Sequence, residues 1–134
     1  MMNWSKWRGF MGIERSKIEA VHGELRRRID RCDWDGWADL FAEDATFFNS
    51  QLEEPIRGRE AIRSFGSAFP STLVNRIEWV AVDGDRLVFG WNEKQWADGP
   101  VYRGFSTFVF GDDGLIASYE GMFDPAEVAA ATAP

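Results

Sequence analysis

The chain is poor in the residues that most often announce a chemistry. It has one cysteine, Cys32, and one histidine, His22. A single thiol excludes an internal disulfide, and without a Cys/His cluster at ligand spacing there is no structural zinc site and no metal is expected. Positive charge is also scarce: fifteen Lys and Arg stand against twenty-two Asp and Glu, a formal net charge of -7. That balance repels phosphate backbones and anionic lipid heads, which argues against nucleic acid and membrane as partners. The N-terminal apolar run, Phe10 to Ile13, lies between Lys6 and Arg8 on one side and Glu14 and Arg15 on the other. It is too short for a signal peptide and far too short to span a bilayer, so the cytoplasm is the expected location. No phosphate-cradling glycine loop, nucleophile elbow or zincin pattern occurs; Gly111 to Gly114 carries acidic residues, as a hairpin turn does. No cofactor is implied.

Aromatic surface is abundant instead. Seven Trp, eleven Phe and two Tyr lie in 134 residues that are 45% apolar and 28% charged. That length and composition describe one domain with a substantial core, and the aromatics suit a core, a dimer face or an apolar pocket. Ile18, Val21, Leu25, Ile29 and Cys32 recur at steps of three or four, which predicts a helix over about Glu14 to Arg31. Asp33 can cap a second, short helix whose Trp34, Trp37, Leu40 and Phe41 face one way and which ends near Glu43 and Asp44. A third runs from Gly58 past Phe65 and is stopped by Pro70.

Beyond Pro70, turn signals at Asp83-Gly84-Asp85, Asp98-Gly99-Pro100 and Gly111 to Gly114 divide four strands. These are Leu73 to Val82, Leu87 to Ala97, Val101 to Phe110 and Leu115 to Phe123, an antiparallel meander. Thr46 to Ser50 reads as one further strand, and Ala126 to Pro134 as a frayed tail. Residues 1–134 therefore form a single α+β domain with its core in about 14–125, three helices packed in the concave face of a curved, mostly antiparallel sheet.

Strand alternation sorts the side chains. A four-residue turn at Gly111 to Gly114 puts Tyr102, Gly104, Ser106, Tyr119 and Phe123 on one face. A three-residue loop at Asp98 to Pro100 adds Asn92, Lys94 and Trp96 to it, and the Asp83-Gly84 hairpin adds Asn75, Ile77 and Trp79. The other face carries Arg76, Glu78, Glu93, Arg103 and Glu120, charges easier to solvate than to bury, and is assigned outward. It also holds Phe89, Trp91, Phe105, Val109 and Met122, enough apolar surface for a sheet-to-sheet homodimer.

Two stretches carry a family resemblance: Leu40-Phe41-Ala42-Glu43-Asp44-Ala45-Thr46-Phe47 followed by Pro55 to Ile62, and the ending from Gly114-Leu115-Ile116 to Met122-Phe123-Asp124-Pro125. Together they resemble the SnoaL-like branch of the nuclear transport factor 2-like superfamily, over roughly Glu14 to Pro125. The resemblance implies a cone-shaped α+β barrel around a deep, mostly apolar pocket. It also implies relatives that include ketosteroid isomerases, epoxide hydrolases, dehydratases, polyketide cyclases and non-catalytic members, so fold alone does not give activity. Where ketosteroid isomerases keep their general-base Asp this chain has Asn49; their oxyanion Asp falls on Ser106 and their helix-one Tyr on Leu25. Of the epoxide hydrolase set only the water-holding Asn, at Asn49, is kept; the remaining roles fall on Phe47, Asn92, Lys94 and Gly121.

The expected pocket then combines Asn49, Asn92, Trp96, Tyr102 and Ser106 with Phe47, Phe108 and Phe123 as ligand contacts, and Lys94, His22 and Tyr119 as candidate catalytic groups. An ammonium enclosed by apolar walls loses solvation and becomes a base; the other placement for Lys94 is at the mouth or outside, its charge in water. His22 either looks into the pocket from the first helix or is a partly buried helix residue, and Tyr119 can donate to a carbonyl or enolate oxygen. Trp34, Trp37 and Trp79 read as core, and Arg57 and Arg59 as rim or structural. The functional expectation is cofactor-independent proton transfer of the lyase, dehydratase, isomerase or cyclase type on a small hydrophobic cyclic or aromatic compound. An epoxide hydrolase, requiring inward carboxylates, and a non-catalytic binding or assembly module are the alternatives.

Overall fold

The computed structural model describes residues 14–133; Lys6, Arg8 and the Phe10 to Ile13 run lie outside them. Along the chain come α1 (Arg15–Asp30), α2 (Trp34–Ala38), β1 (Phe41–Asn49), β2 (Ile56–Arg57), α3 (Arg59–Gly66), β3 (Val74–Asp83), β4 (Arg86–Lys94), β5 (Tyr102–Phe110), β6 (Ile116–Phe123) and α4 (Pro125–Thr132). The strands make one open, curved sheet in the order β2-β1-β6-β5-β4-β3. Among the described residues its one parallel pair is β1 with β6, and the other neighbours are antiparallel.

The apolar stripe of α1 is seated as its spacing requires, with Ile18 and Leu25 fully buried. Cys32 lies past the helix end, at φ 52. Asp33 caps α2 by accepting from the Gly36 amide at 2.9 Å. That helix stops at Ala38, however, and Phe41 begins a nine-residue strand. The helical reading of Leu40 to Asp44 fails because Phe41, Ala45, Phe47 and Asn49 bury one face of a strand at alternating positions, around a register shift between Phe41 and Thr46. The Arg59 guanidinium supports this join, donating to the Phe41 carbonyl at 2.7 Å.

The chain end also departs from expectation. Residues 125–132 form a helix, capped by Asp124 accepting from the Ala126 amide at 2.9 Å and opened by Pro125. Val128 and Ala131 are buried against the domain, so this segment is part of the fold and not a frayed tail.

The largest correction concerns β4. Glu93 pairs with Tyr102, Trp91 with Gly104 and Phe89 with Ser106, which reverses the facing of the whole strand. The strand ends at Lys94, and a loop longer than three residues, with a turn from Trp96 to Gly99, leads to Tyr102. Leu87, Phe89 and Trp91 consequently point inward and are 1%, 4% and 6% exposed. Burying three such side chains gains about 1.5–3 kcal/mol each, which outweighs the cost of taking one hydrogen-bonded carboxyl inward. Asn75 and Ile77 pair with Glu93 and Trp91 on the inner face as expected, but a bulge at Glu78 turns Trp79 outward, where it is half exposed. The β5–β6 pairing is shifted by two residues from expectation, Ser106 opposite Gly121, which preserves the facing of both strands.

Candidate functional site

Between the helices and the inner sheet face lies a cavity of about 310 Å³. Its greasy part is built by Trp37, Phe47, Phe89, Phe108 and Phe123, and α4 contributes Val128 and Thr132 to its wall. Phe47 stacks on Tyr119 with ring centroids 4.4 Å apart, and Phe89 on Phe108 at 5.3 Å. Such packing fixes the rings and leaves the few polar groups among them in defined places.

Those groups form two stations on the inner face. The first is Glu93, whose carboxylate accepts from the Tyr102 hydroxyl at 2.7 Å and from the Asn75 side-chain amide at 2.9 Å. The Tyr102 oxygen in turn accepts from Gln95 Nε2 at 2.6 Å. Burial pushes the Glu93 carboxyl above its ordinary range, against the pull of Tyr102, Asn75 and Arg26 in the other direction. Burial, and then the facing carboxylate, push the Tyr102 phenol up as well, so it stays a donor.

The second station is Trp91, Ser106 and Tyr119. The indole Nε1 donates to Ser106 Oγ at 2.8 Å, and Ser106 Oγ and the Tyr119 hydroxyl share a bond of 2.8 Å. Three hydrogens are available for two bonds, so among the described residues one hydroxyl hydrogen is left without an acceptor. Both hydroxyl residues line the cavity, and Tyr119 is pushed up to about 12 by burial. Two glycines make room for the arrangement. A Cβ at Gly104 would collide with the Trp91 ring, and one at Gly121 would lie 2.6 Å from the Tyr119 hydroxyl oxygen.

Asn49, at the end of β1, is 8% exposed and lines the cavity; its Oδ1 accepts from the Gln51 amide at 2.9 Å.

Of the residues named from sequence, Phe47, Asn49, Tyr102, Ser106, Phe108, Tyr119 and Phe123 line the cavity together. Asn92, Lys94, Trp96 and His22 do not. Asn92 sits on the outer face and donates to Glu78 at 2.9 Å. Lys94 ends the same strand and bonds the Ala97 carbonyl at 3.3 Å in an exposed position, and Trp96 is on the following loop, 43% exposed. All three follow from the reversed facing of β4 and its earlier end. His22 packs beside Phe89, centroids 5.9 Å apart, with its Nε2 buried and unpartnered. Burial and then Arg26 hold its imidazole below the usual range. Glu93, Trp91, Phe89 and Gln95 were missed; the alternation Leu87, Phe89, Trp91, Glu93 was the available signal.

Helices on the concave face of an open curved sheet, enclosing an aromatic cavity with a few converging polar groups, define the cone-shaped α+β class of fold. A family model described as a SnoaL-like domain matches residues 23–119, and the chain belongs to that family. No curated protein matches. Among solved structures, a candidate ketosteroid isomerase from Kribbella flavida DSM 17836 is 20% identical with a TM-score of 0.70, over 81% of this chain and 78% of that one. SalBIII, described as an epoxide hydrolase/cyclase-like enzyme in pyran ring formation in the polyether salinomycin, is 16% identical with a TM-score of 0.73, over 85% and 95%. A protein of unknown function with a cystatin-like fold from Methylobium petroleophilum PM1 is 17% identical with a TM-score of 0.71, over 84% and 78%. At these identities the likeness concerns the fold.

Proposed function

We propose that the protein is a cofactor-independent enzyme that moves a proton on a small, hydrophobic cyclic or aromatic compound, in a reaction of the isomerase, lyase or cyclase type. The observation that carries this reading is Glu93: a carboxyl in an aromatic cavity, bonded by two donors, with its proton affinity raised by burial. A carboxyl in that state is suited to take a proton from carbon and return it elsewhere. Glu93 replaces Lys94 and His22 as the group that moves the proton. The spare hydroxyl hydrogen of the Ser106–Tyr119 pair meets the substrate oxygen on which charge develops, and Asn49 orients ligand or water.

The test is exchange of the α-hydrogens of 2-tetralone in deuterated buffer, followed by NMR. The protein should accelerate exchange, and Glu93→Gln should lose roughly 100-fold or more of the acceleration. Undiminished exchange by a folded Glu93→Gln variant would overturn the assignment.

Epoxide opening is the second reading, favoured by Glu93 and Asn49 sharing one cavity. Water activation of that type calls for a pair of inward carboxylates, and Glu93 is the single carboxylate among the described lining residues. Styrene oxide hydrolysed in place of tetralone exchange would favour this reading.

We further propose that the outer sheet face pairs with a second copy. Trp79 and Phe105, 50% and 47% exposed, share an outer groove with Met122. Light scattering should report twice the 15.3 kDa chain mass; a monomer at all concentrations removes the proposal.

A further inference from the structure

We propose that Arg26, which does not line the cavity, is a positioning residue for Glu93 and acts through the side-chain amide of Asn75. The inference rests on Glu93 as the proton-moving group. Arg26 projects from α1 toward β3, where its guanidinium is held at three points. One nitrogen donates to Asn75 Oδ1 at 2.5 Å; the other donates to the Asn75 carbonyl at 3.0 Å and to Asp30 at 2.9 Å. With its oxygen occupied by a cation, the Asn75 amide has its nitrogen end toward Glu93, 2.9 Å from the carboxylate.

A half-turn of that amide would set its oxygen against the carboxylate and its NH₂ against the guanidinium, two repulsive contacts in place of two attractive ones. The half-turned amide becomes favourable in one circumstance: Glu93 is protonated and donates to Asn75 Oδ1. Arg26 closes that option by occupying the oxygen. It thereby ensures that Asn75 always presents a donor to Glu93, so the acid form finds no acceptor there and the anion keeps its partner.

The groups facing Glu93 are few. From α1 there is Arg26, backed by Asp30 and with His22 one turn away. Asn75 comes from β3, Tyr102 from β5, Tyr119 from β6 at longer range and, behind Tyr102, Gln95 from the loop between β4 and β5. Arg26 is the one cation in this set at neutral pH, because burial and Arg26 itself hold His22 below its ordinary range. The arrangement is thus a relay from a helix to a carboxyl through one neutral amide.

The experiment is a titration of the Glu93 carboxyl by NMR in protein carrying ¹³C-labelled glutamate, the resonance assigned with Glu93→Gln. It is run on wild type, Asn75→Leu, Arg26→Met and the double variant. Each single variant should raise the Glu93 midpoint by about one pH unit, the scale on which an opposite charge or a donor acts on a neighbouring carboxyl. The double variant should exceed the larger single shift by less than about half a unit, because both changes cut the same path. Fully additive shifts would mean that Arg26 acts by direct charge, and an unmoved midpoint in Asn75→Leu would mean that the amide is idle; either overturns the proposal. Arg26→Gln, a neutral polar replacement, enters the same cycle if Arg26→Met does not fold, and fully additive shifts there are equally fatal. The midpoint is read without substrate. A failed tetralone assay with shifted midpoints would therefore remove the catalytic reading and leave the relay standing.

Discussion

Replacing Ser106 with Ala tests the hydrogen-bond accounting at the second station. Ser106 is 1% exposed, and its single oxygen is the acceptor for the Trp91 indole and a partner of the Tyr119 hydroxyl, both at 2.8 Å. The substitution removes no volume that packing would miss and leaves the backbone of β5 undisturbed. Its cost comes from the partners. Both partners line the cavity, but the Tyr119 hydroxyl can rotate toward a water there, whereas the Trp91 N–H is fixed in direction by its packed ring, 6% exposed, and is stranded. Stranding a buried donor costs about 1–3 kcal/mol, so Ser106→Ala should destabilise the fold by about 2 kcal/mol. For a chain of this size that is a fall of roughly 8 °C in melting temperature. In a Trp91→Phe background no indole is left to strand, and the same change should cost less than about 0.5 kcal/mol. Urea melts followed by far-ultraviolet circular dichroism measure all four corners of the cycle without depending on the mutated indole. If the two substitutions add to within about 0.4 kcal/mol, the indole is not relying on Ser106 and the reasoning fails.

Two further outcomes follow from residues that do not line the cavity. His22 is held below its ordinary value of 6.5 in the fold, so the unfolded chain takes up the proton first. Its contribution is complete above pH 6.5 and is lost as pH falls below that value. His22→Leu should remove this part of the acid sensitivity and, by replacing a buried unpartnered Nε2, add about 1 kcal/mol at neutral pH in chemical melts. An unchanged pH slope would refute it. Phe105→Glu, on the outer face, should convert a dimer to monomer in light scattering with melting temperature of the monomer unit preserved; a dimer that persists places the contact elsewhere.

The order of helices and strands was largely legible because periodicity and turn residues are local. The stripe from Ile18 to Ile29 and the turns at Asp83-Gly84 and Gly111 to Gly114 each declare themselves within a few positions. Seven cavity residues followed from β1, β5 and β6, where apolar alternation and turn length agree. On β4 they disagreed: the loop after Lys94 invited a tight turn, and keeping Glu93 outside was weighed above burying Phe89 and Trp91. Facing there is decided by how many residues leave the ladder before Tyr102, a quantity no propensity reports. The donors that make Glu93 tolerable inside, Asn75 and Tyr102, come from two other strands and become visible only once register is known.

The parallel pairing of β1 with β6 has a consequence for synthesis. Thr46 to Asn49 must wait for Ser118 to Gly121 before their ladder can form, and until then β1 has only the two-residue β2 beside it. A nascent chain halted before the last strand emerges therefore carries β1 without the strand that joins it to β3, β4 and β5. Translation must therefore pass β6 before the first strand is safe from unwanted partners.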